Sequence, residues 1–275
     1  MSDVRLPRVE MDGQTATLEQ IWTLDLSSSG HFTAMQVRGR GTLGMDFHLA
    51  RLDGATRELF GVGLDGDRVR ACLRHALADD TADASVRVNV FRAGADDVSV
   101  MVSVRPPASA PADPQGMQTV EYQRPLAHIK HASGFGQSYY GGLAQANGFD
   151  EALFLGPGGV ICEGSITNIG FIDGDAIVWP DAPALRGVMM QVLQRELDRT
   201  GAAWRYEAVH VADLASFAGA FVTNSHGMAT VARINDRRVP TEAGLLQIGK
   251  AAARSRPIRS DLRLAIAPRP QVVAG

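Results

Sequence analysis

Lysine is nearly missing from this chain. Of its 27 basic residues only Lys130 and Lys250 are lysines, and all the others are arginine. Arginine stays charged and cannot condense with a carbonyl, whereas a partly buried lysine can lose its proton and attack one. A lysine kept at position 130, after the apolar-leaning stretch PLAHI, is therefore a candidate for chemistry. The competing reading is a surface lysine with no task.

Cysteine is as scarce. Cys72 and Cys162 build no disulfide framework and fit a reducing compartment. No HExxH-type spacing occurs, so no metal site is expected. The formal net charge of −3, with no basic patch interleaved with aromatics, gives no footprint for nucleic acid. No apolar run reaches the length of a membrane span, and MSDVRLPRVEMDG lacks the apolar core of a signal peptide. A cytoplasmic protein without membrane or nucleic-acid partners is expected.

What remains is an ordinary globular composition, 45% hydrophobic and 21% charged. With 275 residues, two domains or one large α/β unit is expected. Residues 4 to 10 predict a short strand, Asp12-Gly13 a turn, and 14 to 25 a strand or short helix. HFTAMQVRGRG alternates as a strand; GTLGMDFHLARL leads into a helix continuing through LDGATRELFG; a second helix spans Asp67 to Ala78; ASVRVNVFRAG and DVSVMVSVRPP read as strands. Residues 106–116, PPASAPADPQG, hold four prolines and no apolar periodicity, and are read as a linker between residues 1–105 and 117–275. Beyond it come strand TVEYQR, a helix from about Gly136 to Asn147, strand EALFLG, a PGG turn and one strand over VICEGSITNIGFI. Strand AIVWP, the amphipathic helix VMMQVLQRELDRTG, strand WRYEAVHV, a short helix VADLASFAG, strands AFVTNS and TVARIND, and a last helix from Thr241 to Ala253 complete the series.

Four features stand out in the second block: Lys130; the segment GGVICEGSITN with Glu163 at a strand-turn junction; the Gly-opened helix start at Leu185-Arg186-Gly187; and VTNS, a strand ending in small polar residues. Helix N-termini and hydroxyls are natural phosphate ligands, and a buried carboxylate can hold a pyridine nitrogen protonated. Together they suggest an anionic aromatic cofactor held at both ends.

The pattern G-x-V-x-E-G-S-x-x-N, Gly159 to Asn168, resembles the class IV aminotransferases, the fold-type IV pyridoxal-phosphate enzymes. These include branched-chain and D-amino-acid aminotransferases and aminodeoxychorismate lyase. The H-x-x-R-L of His48, Arg51 and Leu52, the Lys130 region, 33 positions before Glu163, and the L-x-G of Leu185 to Gly187 match in the same order. The resemblance implies a two-domain α/β (α+β) fold, with a smaller N-terminal α/β domain, a larger β-rich C-terminal domain and the site in the cleft. It also implies a homodimer, pyridoxal 5'-phosphate as cofactor, and a small-molecule amino donor and keto acceptor. Lys130 would carry the cofactor as a Schiff base and shuttle the proton; Glu163 would pair with the pyridine nitrogen; Arg51, the backbone at Val188 and Met189, and Ser225 would bind the phosphate. Alternation along ASVRVNVF sets Arg87 on one face with Asn89, where it resembles the carboxylate-side arginine of branched-chain enzymes. His31 and His226 are further substrate-binding candidates, against structural roles for both.

Departures from the family pattern keep alternatives open. L-P-G-I-T-R reads LRGVMM here, so Met189 replaces a phosphate-binding threonine. Phe135 stands where branched-chain enzymes have a tyrosine, and a phenol would have to come from Tyr139 or Tyr140. Lys130-His131 also matches the lyase branch. An aminotransferase is the leading expectation; a 4-amino-4-deoxychorismate lyase and a degenerate non-catalytic relative are the alternatives.

Overall fold

The computed structural model describes residues 8–21, 30–78, 81–94, 96–241 and 259–261. The helix expected over Thr241 to Ala253 lies outside them except for Thr241 itself.

The first sheet is built from β1 (Arg8–Met11), β2 (Gln14–Thr15), β3 (His31–Arg38), β4 (Gly41–Leu43), β5 (Ala84–Arg92) and β6 (Val98–Arg105). Alternation decides its faces. On β3 the residues His31, Thr33, Met35 and Val37 are buried while Phe32, Ala34, Gln36 and Arg38 are half-buried. HFTAMQVRGRG is not one strand, because Gly39 and Arg40 take left-handed φ of 52° and 62° and fold the chain back as a hairpin. Two helices, α1 (Met45–Phe60) and α2 (Gly66–Leu77), cover the buried face. The Asp65 carboxylate accepts the Asp67 N–H and caps α2. Leu52 and Leu73 lock against Val86, Val88, Val90, Val100 and Val102 in one core. Each such side chain stabilises by about 2 kcal/mol on burial.

The second sheet takes β7 (Gln115–Glu121), β8 (Glu151–Leu155), β9 (Ile161–Gly164), β10 (Asn168–Asp173), β11 (Ala176–Pro180), β12 (Trp204–Glu207), β13 (Gly219–Asn224) and β14 (Gly227–Ile234), with β15 (Arg237–Arg238) beside β14. The expected linker thus ends early, since Gln115 and Gly116 already pair with β14. A last strand, β16 (Arg259–Asp261), returns to the edge of the first sheet beside β4, although residues 117–275 are expected to form the second block. The parallel pair β7 and β8 is joined by α3 (Phe135–Ala146), and α4 (Val188–Thr200) packs Met190, Leu193 and Leu197 on Ile172, Trp179 and Phe221. VADLASFAG forms a 3-10 turn over Val211–Ser216.

VICEGSITNIGFI is also not one strand. β9 ends at Gly164 and β10 begins at Asn168, because the buried carboxylate of Glu151 captures the intervening turn. Its Oε1 accepts the N–H groups of Ile166 (2.6 Å) and Thr167 (3.1 Å), and both hydroxyls, Ser165 and Thr167, donate to it. Among the described residues no helix is long and apolar enough to cross a membrane.

Candidate active site

The two sheets enclose a cavity of about 700 Å³ whose walls come from both. Lys130 sits at the seam. Its segment is held to β3 by the Phe32 N–H on the Lys130 carbonyl (2.8 Å) and by the Ala132 N–H on the Gly30 carbonyl (2.8 Å). Lys130 Nζ lies 4.9 Å from the centre of the Phe32 ring, and the Arg87 guanidinium covers the same ring at 3.6 Å. Burial, helped by the charges of Arg51 and Arg124 and opposed by Glu163, pulls the Lys130 amine down to about 8. A lysine in that range offers a free amine near neutral pH, as a nucleophile or proton carrier requires.

Glu163, on β9, is buried and faces the cavity. Its Oε1 accepts Nε–H of Arg124 at 2.7 Å and its Oε2 accepts the backbone N–H of Leu185 at 3.0 Å. Arg51 projects from α1 and donates Nη2–H to the Arg186 carbonyl at 2.7 Å, tying the first helix to the turn that opens α4. His48, one turn earlier, is neutral: burial, reinforced by Arg51, lowers it to about 3, and its Nδ1 meets Thr33 Oγ1 at 2.6 Å. Among the described residues the first turn of α4 has no side-chain cap, and its Val188 and Met189 line the cavity, where a helix start leaves N–H groups without intrahelical partners. Thr223 Oγ1 is buried without a hydrogen-bond partner among the described residues, and Thr223, Asn224 and Ser225 line the same cavity. An uncapped helix start, an arginine and an orphaned hydroxyl on one cavity are groups that could cradle an anion.

Lys130, Arg51, Glu163, Val188, Met189, Ser225, Arg87 and His226 therefore line one cavity. His31 does not. It points to the buried face of β3, with Nε2 on Thr56 Oγ1 at 2.9 Å and its ring against Phe60, so the strand's alternation makes it a core histidine. Neither Tyr139 nor Tyr140 lines the cavity in place of the missing phenol: Phe135 is 79% exposed and stacks on Tyr139, and Tyr140 packs on Tyr122. Sequence reasoning missed Arg124 and Glu151, and took Thr223 only as part of the polar strand end VTNS. For Arg124 the signal is slight, an Arg-Pro pair six positions before Lys130.

The sequence model of the amino-transferase class IV family matches residues 30–234. The chain belongs to the class IV aminotransferase family. Solved class IV structures share its fold. A hypothetical aminotransferase from Mycobacterium tuberculosis in its PLP-bound form superposes with TM-score 0.74 at 22% identity, over 84% of this chain and 90% of that one. The branched-chain aminotransferase from the thermophilic archaeon Thermoproteus uzoniensis with norvaline gives 0.77 at 17% identity, over 90% and 93%. A fold IV-transaminase from Curtobacterium pusillum gives 0.72 at 18% identity, over 85% and 89%. A comparison with curated proteins finds no match. In this class IV chain the family segment spans both sheets, from Gly30 at the start of β3 to the end of β14. Among the described residues no group of three or more His, Cys, Asp or Glu side chains could hold a metal ion.

Proposed function

We propose that the protein is a pyridoxal-phosphate-dependent aminotransferase that moves an amino group between an amino acid or amine and a keto acid. The observation that carries this is the placement of a deprotonatable lysine and a buried glutamate in one cavity that an uncapped helix N-terminus also lines. The residues fit the cofactor. Arg51, the N–H groups of Val188 and Met189, Ser225 and the unpartnered Thr223 hydroxyl would hold its phosphate; Glu163 would hold its ring nitrogen; Lys130 would be its covalent anchor. When bound, pyridoxal phosphate supplies the electron sink that makes a C–H beside an amine acidic.

The chain's own groups do the rest. Lys130 Nζ would take the proton from the substrate Cα and pass it to the cofactor carbon that receives the amino group, not back to Cα. Arg124 and the Leu185 N–H hold both oxygens of Glu163, which fixes the carboxylate's orientation in the cavity. Arg87, its guanidinium 3.6 Å from the centre of the Phe32 ring and its Nε–H on Asn89 Oδ1, would present its fork to a substrate carboxylate, and His226 lines the same cavity. A homodimer belongs to the same reading. Phe135, Tyr139 and Leu143 repeat every four residues on α3 and are 79%, 56% and 43% exposed, an apolar stripe that supports a partner surface.

The decisive experiment adds pyridoxal 5'-phosphate to the full-length protein, reduces with borohydride and maps the tag by peptide mass. Because the chain has two lysines, the expected result is a tag on Lys130 and none on Lys250. No tag on Lys130 overturns the assignment. A half-reaction screen over L- and D-amino acids and simple amines then gives the substrate class, and release of pyruvate from aminodeoxychorismate without an acceptor would make it a lyase instead.

A further inference from the structure

One buried cation in the cavity does more than hold an oxygen of Glu163. Arg124 follows β7, and its side chain is almost wholly enclosed. Its guanidinium donates in three directions: Nε–H to Glu163 Oε1 at 2.7 Å, Nη1–H to the Ile129 carbonyl at 3.1 Å, and Nη2–H to the Ala127 carbonyl. The last two acceptors belong to the turn that delivers Lys130. That turn is strained, because Leu126 takes a left-handed φ of 46°, a conformation that costs a non-glycine residue about 1 kcal/mol or more and persists only where the surroundings over-determine it. The Ile129 N–H closes the turn on the Leu126 carbonyl at 2.8 Å.

We propose that Arg124 is the positioning residue of this site: its fork locks Glu163 and the 126–129 turn into one unit, so that the carboxylate and the Lys130 amine keep a fixed mutual placement. This rests on the reading of Lys130 and Glu163 as the working pair. Lysine could not substitute for it, since a point charge on a flexible stem cannot hold three acceptors in the plane of one fork. The charge has a second effect. The charged and titratable groups facing Lys130 are Arg51 from α1, Arg87 from β5, Arg124, Glu163 from β9, and the neighbouring His131. Arg124 repels the lysine's proton more than Glu163 attracts it. Removing Arg124 therefore lets Lys130 hold its proton to higher pH.

The test uses full-length, cofactor-free protein. Competitive acetylation across pH, read by peptide mass as the ratio of Lys130 to Lys250, gives the Lys130 titration against an internal reference. Amide hydrogen exchange over residues 126–131 reads the turn. Arg124→Met is expected to raise the Lys130 midpoint by about one pH unit, a roughly tenfold loss of labelling at pH 7, and to speed exchange in the turn at least about tenfold. Arg124→Lys is expected to speed exchange similarly while leaving the midpoint near that of the parent. A midpoint unmoved in Arg124→Met, or parental exchange in Arg124→Lys, overturns the proposal. Should Arg124→Met not fold, the exchange of Arg124→Lys decides alone. Absorbance after adding pyridoxal 5'-phosphate is scored separately: its failure would remove the proposed function and leave both readouts on Arg124 standing.

Discussion

Leu185 donates its backbone N–H to Oε2 of Glu163 at 3.0 Å, and the carbonyl of the same residue accepts the Asn168 side chain at 2.6 Å. The turn that opens α4 is thus fixed to β9 and β10, on either side of the turn Glu151 holds. Carboxylate and anion cradle move as one body, and a change in the turn should be felt at both.

Gly187 is the sharpest place to see this. A Cβ there would stand 2.0 Å from Asn168 Oδ1, which no small adjustment relieves. Gly187→Ala is expected to push Asn168 off the Leu185 carbonyl and turn the first N–H groups of α4 away from the cavity. Affinity for pyridoxal 5'-phosphate, measured by equilibrium titration, should fall at least about tenfold, the equivalent of one lost charge-assisted hydrogen bond. Unchanged affinity would show that the cradle does not depend on this turn.

Glu163→Gln separates the carboxylate's charge from its shape. The amide cannot neutralise Arg124, which stays buried among carbonyls alone. Breaking one side of a buried ion pair costs about 3–5 kcal/mol, which lowers the melting temperature by roughly 5–15 °C in a chain of this size. Lys130→Ala, which removes an already desolvated amine, should melt within a few degrees of the parent. Equal melting of all three proteins would deny the pair its structural role.

Met189 lines the anion cradle with a thioether where a hydroxyl would bond the phosphate. Met189→Thr restores a donor at an uncapped helix N-terminus, and is expected to tighten cofactor binding by about tenfold, since a hydrogen bond to a charged group contributes about 1.5 kcal/mol or more. Equilibrium dialysis at fixed ionic strength is the measurement. Weaker binding would mean that the methionine fills space the phosphate needs.

Much of this is legible in the chain. The alternation of β3 and β5 marks the faces of the first sheet; Lys130, Glu163 and the Gly187 helix start stand out by residue type and setting, and Arg51 through the resemblance to the family's H-x-x-R-L. His31 is misplaced by that reading because proximity in sequence to a matched segment says nothing about which face of a strand a side chain takes. Arg124 escapes it because it is one arginine among many, and only β8 and β9 pairing beside β7 brings Glu163, 39 positions later, onto its Nε. The split of β9 from β10 escapes for a related reason. Local propensity reads VICEGSITNIGFI as continuous strand, whereas the break is imposed by Glu151, a carboxylate from a different strand.

Glu151 also gives the fold a pH dependence whose sign follows from its surroundings. The carboxylate is buried and, among the described residues, has no cationic partner; burial pushes it up to about 7 although four donors from residues 165–167 pull it down. Its folded value lies above the ordinary carboxylate value, so the folded state keeps a proton that the unfolded chain releases between about pH 4.5 and 7. The contribution is therefore fully present below pH 4.5 and is lost as pH rises to 7, on the order of 3 kcal/mol. Glu151→Gln keeps an acceptor for the Ile166 and Thr167 N–H groups but cannot ionise. Measured by urea unfolding, the variant's stability relative to the parent should improve by about 2–3 kcal/mol between pH 5 and pH 8. A difference that stays constant with pH would show that Glu151 is already ionised at pH 5, and that the donors of the 165–167 turn outweigh its burial.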